Sequence, residues 1–110
     1  MRDLSNVRDV YEGLGEIQLV DCREPYEWVA GRVEGAIHIP VNSIMAGAGS
    51  DLDRDKPVAV ICRSGNRSEL VTMMLQARGY DATNVKGGME AWASAALPFE
   101  ADDGSPGRVA

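Results

Sequence analysis

Only two cysteines, Cys22 and Cys62, occur in this chain of 110 residues. Two is too few for a disulfide scaffold, and a chain of this length does not need one. Nor is there an apolar run approaching the roughly 20 residues that cross a bilayer. The opening stretch, MRDLSNVRDV, carries charges where a secretory signal needs apolar residues. Basic residues are outnumbered, and the net charge is −6. An acidic surface gains nothing electrostatically from nucleic acid or an anionic membrane, so neither is expected as a partner. The one histidine, His38, and the two cysteines match no zinc spacing, so no metal site is expected. The expected compartment is the reducing cytoplasm, where a cysteine is free to be a core residue or a nucleophile.

What the chain does have is a hydrophobic fraction of 45%, enough for the core of one domain. Short β-rich runs alternate with helical patterns, which predicts a parallel sheet with helices packed on it. Ser5 is a plausible N-cap for a helix holding Val7, Val10, Tyr11 and Leu14 at helical spacing. Ile17 to Val20 reads as a buried strand closed by Asp21. Pro25 suits the first turn of a helix that Gly31 ends. Ala36 to Ile39 forms a short strand before Pro40, and residues 41 to 47 another short helix. The small and polar residues 47 to 56 make a surface loop. Val58-Ala59-Val60-Ile61 is apolar on both faces, as a central parallel strand should be. A helix from about Arg67 to Arg78 follows, with Leu70, Met73, Met74 and Ala77 as its expected apolar face. A last strand covers Asp81 to Val85, and a helix with Met89, Trp92 and Ala93 comes after Gly87-Gly88. The domain is expected to end near residue 99. EADDGSPGRVA, residues 100–110, is acidic and rich in breakers, which predicts a disordered tail.

The chemistry points to Cys62-Arg63-Ser64-Gly65-Asn66-Arg67-Ser68, between the clearest strand and the strongest helix. In an open parallel sheet, ligands bind at the carboxyl ends of the strands. A glycine-containing turn aims backbone N–H groups inward as an anion nest, and the start of the next helix adds its own free N–H groups. Arg63 and Arg67 add full charges. Each feature favours thiolate over thiol at Cys62. A cysteine that merely ends a strand is an ordinary small core residue. The whole combination makes Cys62 the candidate nucleophile, with residues 63 to 67 as the substrate-binding loop.

At this point the sequence resembles the rhodanese family. CRSGNRS, residues 62 to 68, is similar to that family's active-site loop. Val20-Asp21-Cys22-Arg23-Glu24, with Glu27-Trp28, resembles the segment after its second strand. Gly31-Arg32-Val33-Glu34-Gly35-Ala36-Ile37-His38-Ile39-Pro40 resembles its Gly-His-Ile-Pro-Gly-Ala-x-x-Ile-Pro motif. Gly87-Gly88-Met89-Glu90-Ala91-Trp92, with Leu97-Pro98, resembles its Gly-Gly-x-x-Ala-Trp signature. Arg32, Glu34 and Met89 depart from the commoner residues. The resemblance implies an α/β fold with a five-stranded, mainly parallel sheet flanked by helices on both faces. It also implies transfer of sulfane sulfur from a donor such as thiosulfate to Cys62 as a persulfide, then to a thiophilic acceptor such as cyanide or a thiol. Backbone N–H groups of residues 63 to 67 would hold the sulfur, and no cofactor is required.

Asp21 and Arg23 are candidates for orienting the loop, or else a turn and a cap. Cys22 is expected to alternate away from Asp21 and to take no part in catalysis. His38, Trp28 and Trp92 are expected to be structural. Two rivals use a similar fold or cradle. A cysteine-dependent phosphatase or arsenate reductase has five residues between Cys and Arg, whereas four, Arg63 to Asn66, separate Cys62 from Arg67. The other is a binding or sulfur-relay module that acts with a partner protein.

Overall fold

The computed structural model describes residues 2–110. Its first helix, α1 (Val7–Gly13), is capped one residue later than Ser5. Asn6 accepts at Oδ1 from the amides of Arg8 (2.9 Å) and Asp9 (3.4 Å) and so satisfies two of the helix's free donors. Then come β1 (Gln18–Asp21), α2 (Pro25–Ala30), β2 (Ile37–His38), α3 (Val41–Met45) and β3 (Val58–Ile61). The chain continues with α4 (Asn66–Ala77), β4 (Ala82–Asn84) and α5 (Gly88–Ser94).

The sheet is parallel, with strand order β2-β1-β3-β4. It has four strands among the described residues, not the five that the resemblance implied. The stretch before α1 offers no extended ladder. Asp3 folds it into a turn instead, accepting at its carbonyl from Asn6 N–H and at its carboxylate from Ser5. Its one backbone bond near β4 runs from Lys86 N–H to the Ser5 carbonyl, at 2.9 Å.

Both faces of the sheet are covered, as expected. Successive residues of β3 point to opposite sides. Val58 and Val60 join Val20, Ile44 of α3, and Val71 and Leu75 of α4. Ala59 and Ile61 join Leu19, Val10 of α1, and Met89 and Trp92 of α5. All four β3 residues are fully buried, which is why that strand reads as a continuous apolar run.

Helix α4 buries a different face from the one its apolar residues suggested. Ser68, Val71, Thr72 and Leu75 face inward and Met74 packs partly against the core, while Ala77 is exposed and Leu70 and Met73 are 48% and 60% exposed. The inward stripe keeps helical spacing but includes two hydroxyl residues. Thr72 satisfies its hydroxyl on the Ser68 carbonyl at 2.7 Å. Ser68 turns its hydroxyl to the Cys62 sulfur at 3.2 Å, which holds that face of the helix inward.

Residues 100–110 also differ from expectation, because they are laid back along the end of α2. Asp102 N–H donates to the Val29 carbonyl (2.9 Å) and Arg108 N–H to that of Ala30 (3.0 Å). Arg32 and Glu100 exchange two backbone bonds at 2.9 and 3.0 Å. The last turn of a helix leaves its carbonyls without partners, and this segment supplies them. Breaker-rich composition says how little apolar area a segment can bury, but not whether its backbone can pair. The close approach depends on Gly31, where a Cβ would sit 2.8 Å from the Phe99 ring and 2.9 Å from Arg108 N.

Candidate active site

Cys62 follows the last residue of β3, at the carboxyl edge of the sheet. The chain then turns through Gly65, whose φ of 102° lies in the left-handed region that glycine tolerates. This turn returns the Gly65 N–H to Cys62 Sγ at 3.1 Å. The Ser68 hydroxyl approaches the same sulfur at 3.2 Å from the first turn of α4. Asn84, at the end of β4, ties the loop down. Its Nδ2 donates to the Gly65 carbonyl at 3.0 Å, while its Oδ1 lies 2.5 Å from Ser68 Oγ.

The floor of the loop rests on the start of α5. Met89 N–H donates to the Cys62 carbonyl (2.8 Å) and Glu90 N–H to the Arg63 carbonyl (2.9 Å). Gly88 makes this approach feasible, because a Cβ there would stand 2.3 Å from the Cys62 carbonyl oxygen.

Cys62 is held far below the ordinary thiol range, at about 4. A hydrogen bond from the Cys22 thiol is the largest cause, burial opposes it, and Ser68 and Gly65 add further donors. The same bond pushes the Cys22 thiol strongly upward, so the proton of the pair resides on Cys22.

The loop arginines differ from each other. Arg67 is clasped by Glu27 of α2, with Nη1 and Nη2 at 2.7 and 2.9 Å from the two carboxylate oxygens. Burial pushes the Glu27 carboxyl up, but the Arg67 bonds outweigh it and hold it below its usual value. Arg63 reaches outward and stands 3.7 Å from Glu90, half-exposed on both sides. The side chains of Ser64 and Asn66 are exposed beside it.

Asp21 and Arg23 form a buried ion pair at 2.8 Å. Arg23 donates its remaining bond to the Gly31 carbonyl at 2.6 Å, and its Nη1 has no partner. Neither side chain hydrogen-bonds residues 62 to 68 among the described residues; they brace the turn from β1 to α2. That α2 carries Glu27, which sequence reasoning passed over. It also left Ser68 outside the binding residues of the loop, passed over Asn84, and expected no catalytic part for Cys22. His38 stacks on Trp28 with ring centroids 4.5 Å apart and bonds the Arg23 carbonyl at 2.8 Å.

A lowered-pKa cysteine in a short loop, set where a parallel sheet meets a helix, defines a class of cysteine-dependent transfer sites. The rhodanese-like domain model matches residues 6–95, and the chain belongs to that family. A Bacillus subtilis protein provisionally named a sulfurtransferase, YtwF, is 37% identical over 84% of this chain and 88% of its own. A sulfurtransferase of Allochromatium vinosum is 36% identical over 81% and 83%. The crystal structure of a rhodanese-related protein from Thermoplasma volcanium superposes with a TM-score of 0.81 at 33% identity, covering 90% of this chain and 97% of that one. A rhodanese-like domain protein from Staphylococcus aureus gives 0.71 at 33% identity, covering 79% and 87%. No helix among the described residues is long and apolar enough to cross a membrane.

Proposed function

We propose that this protein is a sulfurtransferase that carries sulfane sulfur on Cys62, with thiosulfate as a competent donor and a thiol or cyanide as acceptor. The observation that carries the reading is the Cys62 sulfur itself, with the Gly65 N–H at 3.1 Å and the Ser68 hydroxyl at 3.2 Å from it, donors that favour the thiolate. The thiolate attacks the outer sulfur of thiosulfate. A Cys62–sulfur bond forms, the sulfur–sulfur bond of the donor breaks, and sulfite leaves with the bonding pair. The persulfide then gives its outer sulfur to the acceptor thiolate or cyanide, and Cys62 returns as thiolate. No proton transfer is needed at the donor step, because both nucleophile and leaving group are anions.

The loop's charge and size suit this substrate. Only Arg63 to Asn66 separate Cys62 from Arg67, a ring one residue shorter than the phosphatase pattern. Arg63, half-exposed and only loosely paired with Glu90 at 3.7 Å, is the cation better placed to meet an incoming anion, since Arg67 is clasped by Glu27 at 2.7 Å. A reducing cytoplasm, where thiols persist, fits this chemistry. The test is steady-state transfer from thiosulfate to cyanide, beside hydrolysis of an aryl phosphate. Native protein should transfer sulfur, Cys62→Ser should not, and neither should hydrolyse the phosphate. Efficient phosphate hydrolysis that depends on Cys62 would overturn the reading.

A second reading, delivery of sulfur to a partner protein, is favoured by one observation. Leu70 and Met73 leave an apolar strip exposed on α4, the helix that begins at the loop.

A further inference from the structure

Cys22 is sealed from solvent and paired with the active-site cysteine in a way that the transfer reaction above does not use. The register that aligns Val20 with Val60 and Asp21 with Ile61 continues one step further. Cys22 N–H donates to the Ile61 carbonyl at 3.0 Å, so Cys22 and Cys62 stand opposite each other just past the ends of β1 and β3. Each lies two residues beyond a valine of the same apolar cluster, so both side chains fall on the same face of the sheet. Both are free thiols, and each residue is 1% exposed. Neighbouring strands run about 4.8 Å apart, inside the about 4.4–6.8 Å between Cα atoms that a disulfide spans.

We infer that Cys22 is a resolving thiol, which attacks the inner sulfur of a Cys62 persulfide that meets no acceptor and releases its outer sulfur as hydrosulfide. The inference rests on the sulfurtransferase reading of Cys62. Cys22 is buried beneath the sheet edge, so the inner sulfur of Cys62 is the electrophile it faces, while soluble acceptors approach from the loop side. The step balances within the site. A bond forms between Cys22 Sγ and Cys62 Sγ, and the bond from Cys62 Sγ to the outer sulfur breaks. The Cys22 proton passes to the departing sulfur, which leaves as HS⁻. The two cysteine sulfurs are oxidised to a disulfide and the sulfane sulfur is reduced by the same two electrons, so no outside oxidant enters. A low-molecular-weight thiol then reopens the disulfide and returns the nucleophile. The Cys22 thiol carries the transferable proton, with its Sγ donating to the carbonyl of Ile61, the residue before Cys62, at 3.5 Å.

The experiment follows intact mass and released hydrosulfide after fully reduced protein is treated with thiosulfate without oxygen, desalted and left with no acceptor. Native protein should first gain one sulfur. It should then lose that sulfur and two hydrogens, release one hydrosulfide per chain, and yield a peptide joining Cys22 to Cys62. Cys22→Ser, which keeps a hydroxyl donor in place of the thiol, should keep its extra sulfur and release no hydrosulfide; Cys22→Thr serves the same purpose should the serine variant fold poorly. Sulfur that stays on Cys62 in the native protein and in the variants alike, with no disulfide, would overturn the inference alone. Absence of sulfur on Cys62 in every protein would overturn the sulfurtransferase reading, and the inference with it.

Discussion

Replacing Ser68 by alanine should raise the Cys62 pKa by about one unit, and the reasoning depends on a single proton. The Ser68 hydroxyl lies 3.2 Å from Cys62 Sγ and 2.5 Å from Asn84 Oδ1. A hydroxyl has one proton to donate. Asn84 cannot turn its amide to help, because its Nδ2 is bound to the Gly65 carbonyl. The thiolate therefore gains the Ser68 proton only by taking it from Asn84. A hydrogen bond to a charged group is worth about 1.5–3 kcal/mol, and one pKa unit corresponds to about 1.36 kcal/mol. Competition from Asn84 puts the effect at the low end of that range. The assay is the alkylation rate of Cys62 by iodoacetamide against pH, read on the Cys62 peptide. Reactivity follows the thiolate, so it is lost as pH falls through the folded pKa. In native protein the half-maximum should lie near the folded value of about 4. In Ser68→Ala it should lie about one unit higher, with the neutral-pH thiolate fraction unchanged in both. An unmoved midpoint would refute the role given to Ser68. A native midpoint in the ordinary thiol range would refute the thiolate altogether.

Glu27→Gln should destabilise the fold by about 2 kcal/mol in urea denaturation, since it weakens charge-assisted bonds worth about 1.5–3 kcal/mol. The Glu27 carboxyl is depressed, so its contribution is present above the ordinary carboxylate pKa and lost as pH falls through the folded value. The native and variant stabilities should therefore converge in acid. Deleting residues 101–110 should lower Tm by several degrees in calorimetry, because the carbonyls of Val29 and Ala30 lose their donors, at roughly 1 kcal/mol each; an unchanged Tm would mean the segment does not dock in solution. Gly88→Ala should disrupt the loop and abolish sulfur transfer, since its φ is 55° and its Cβ would collide with the Cys62 carbonyl; alkylation kinetics of Cys62 should return toward those of an ordinary thiol.

Features confined to neighbouring residues were legible before the fold was known. Val58 to Ile61 announces a central strand because burial on both faces leaves no polar position in it. The Cys62 loop is legible because nucleophile, glycine turn and helix start lie within seven residues, Cys62 to Ser68. Partners brought from afar were not. Glu27 reaches Arg67 across 40 positions, and only the crossing from β1 to α2 puts it there. Cys22, which supports the Cys62 thiolate, is another such partner. Its alternation away from Asp21 was right, but that alternation is what turns it toward Cys62, and this becomes visible only with the strand register. The apolar face of α4 was misread because Leu70 and Met73 are apolar, while the site claims Ser68 for the interior. The carboxyl-terminal segment was misread because backbone pairing leaves no mark in composition.

The central claim is that Cys62 becomes the sulfur carrier. Reduced protein is incubated with thiosulfate, quenched in acid, digested, and its Cys62 and Cys22 peptides are weighed, while sulfite is measured in the same sample. The account predicts one added sulfur on the Cys62 peptide and an equal amount of sulfite, neither of which forms in Cys62→Ser. Sulfite released with the added sulfur on Cys22 alone, or neither added sulfur nor a disulfide joining Cys22 to Cys62, would contradict it.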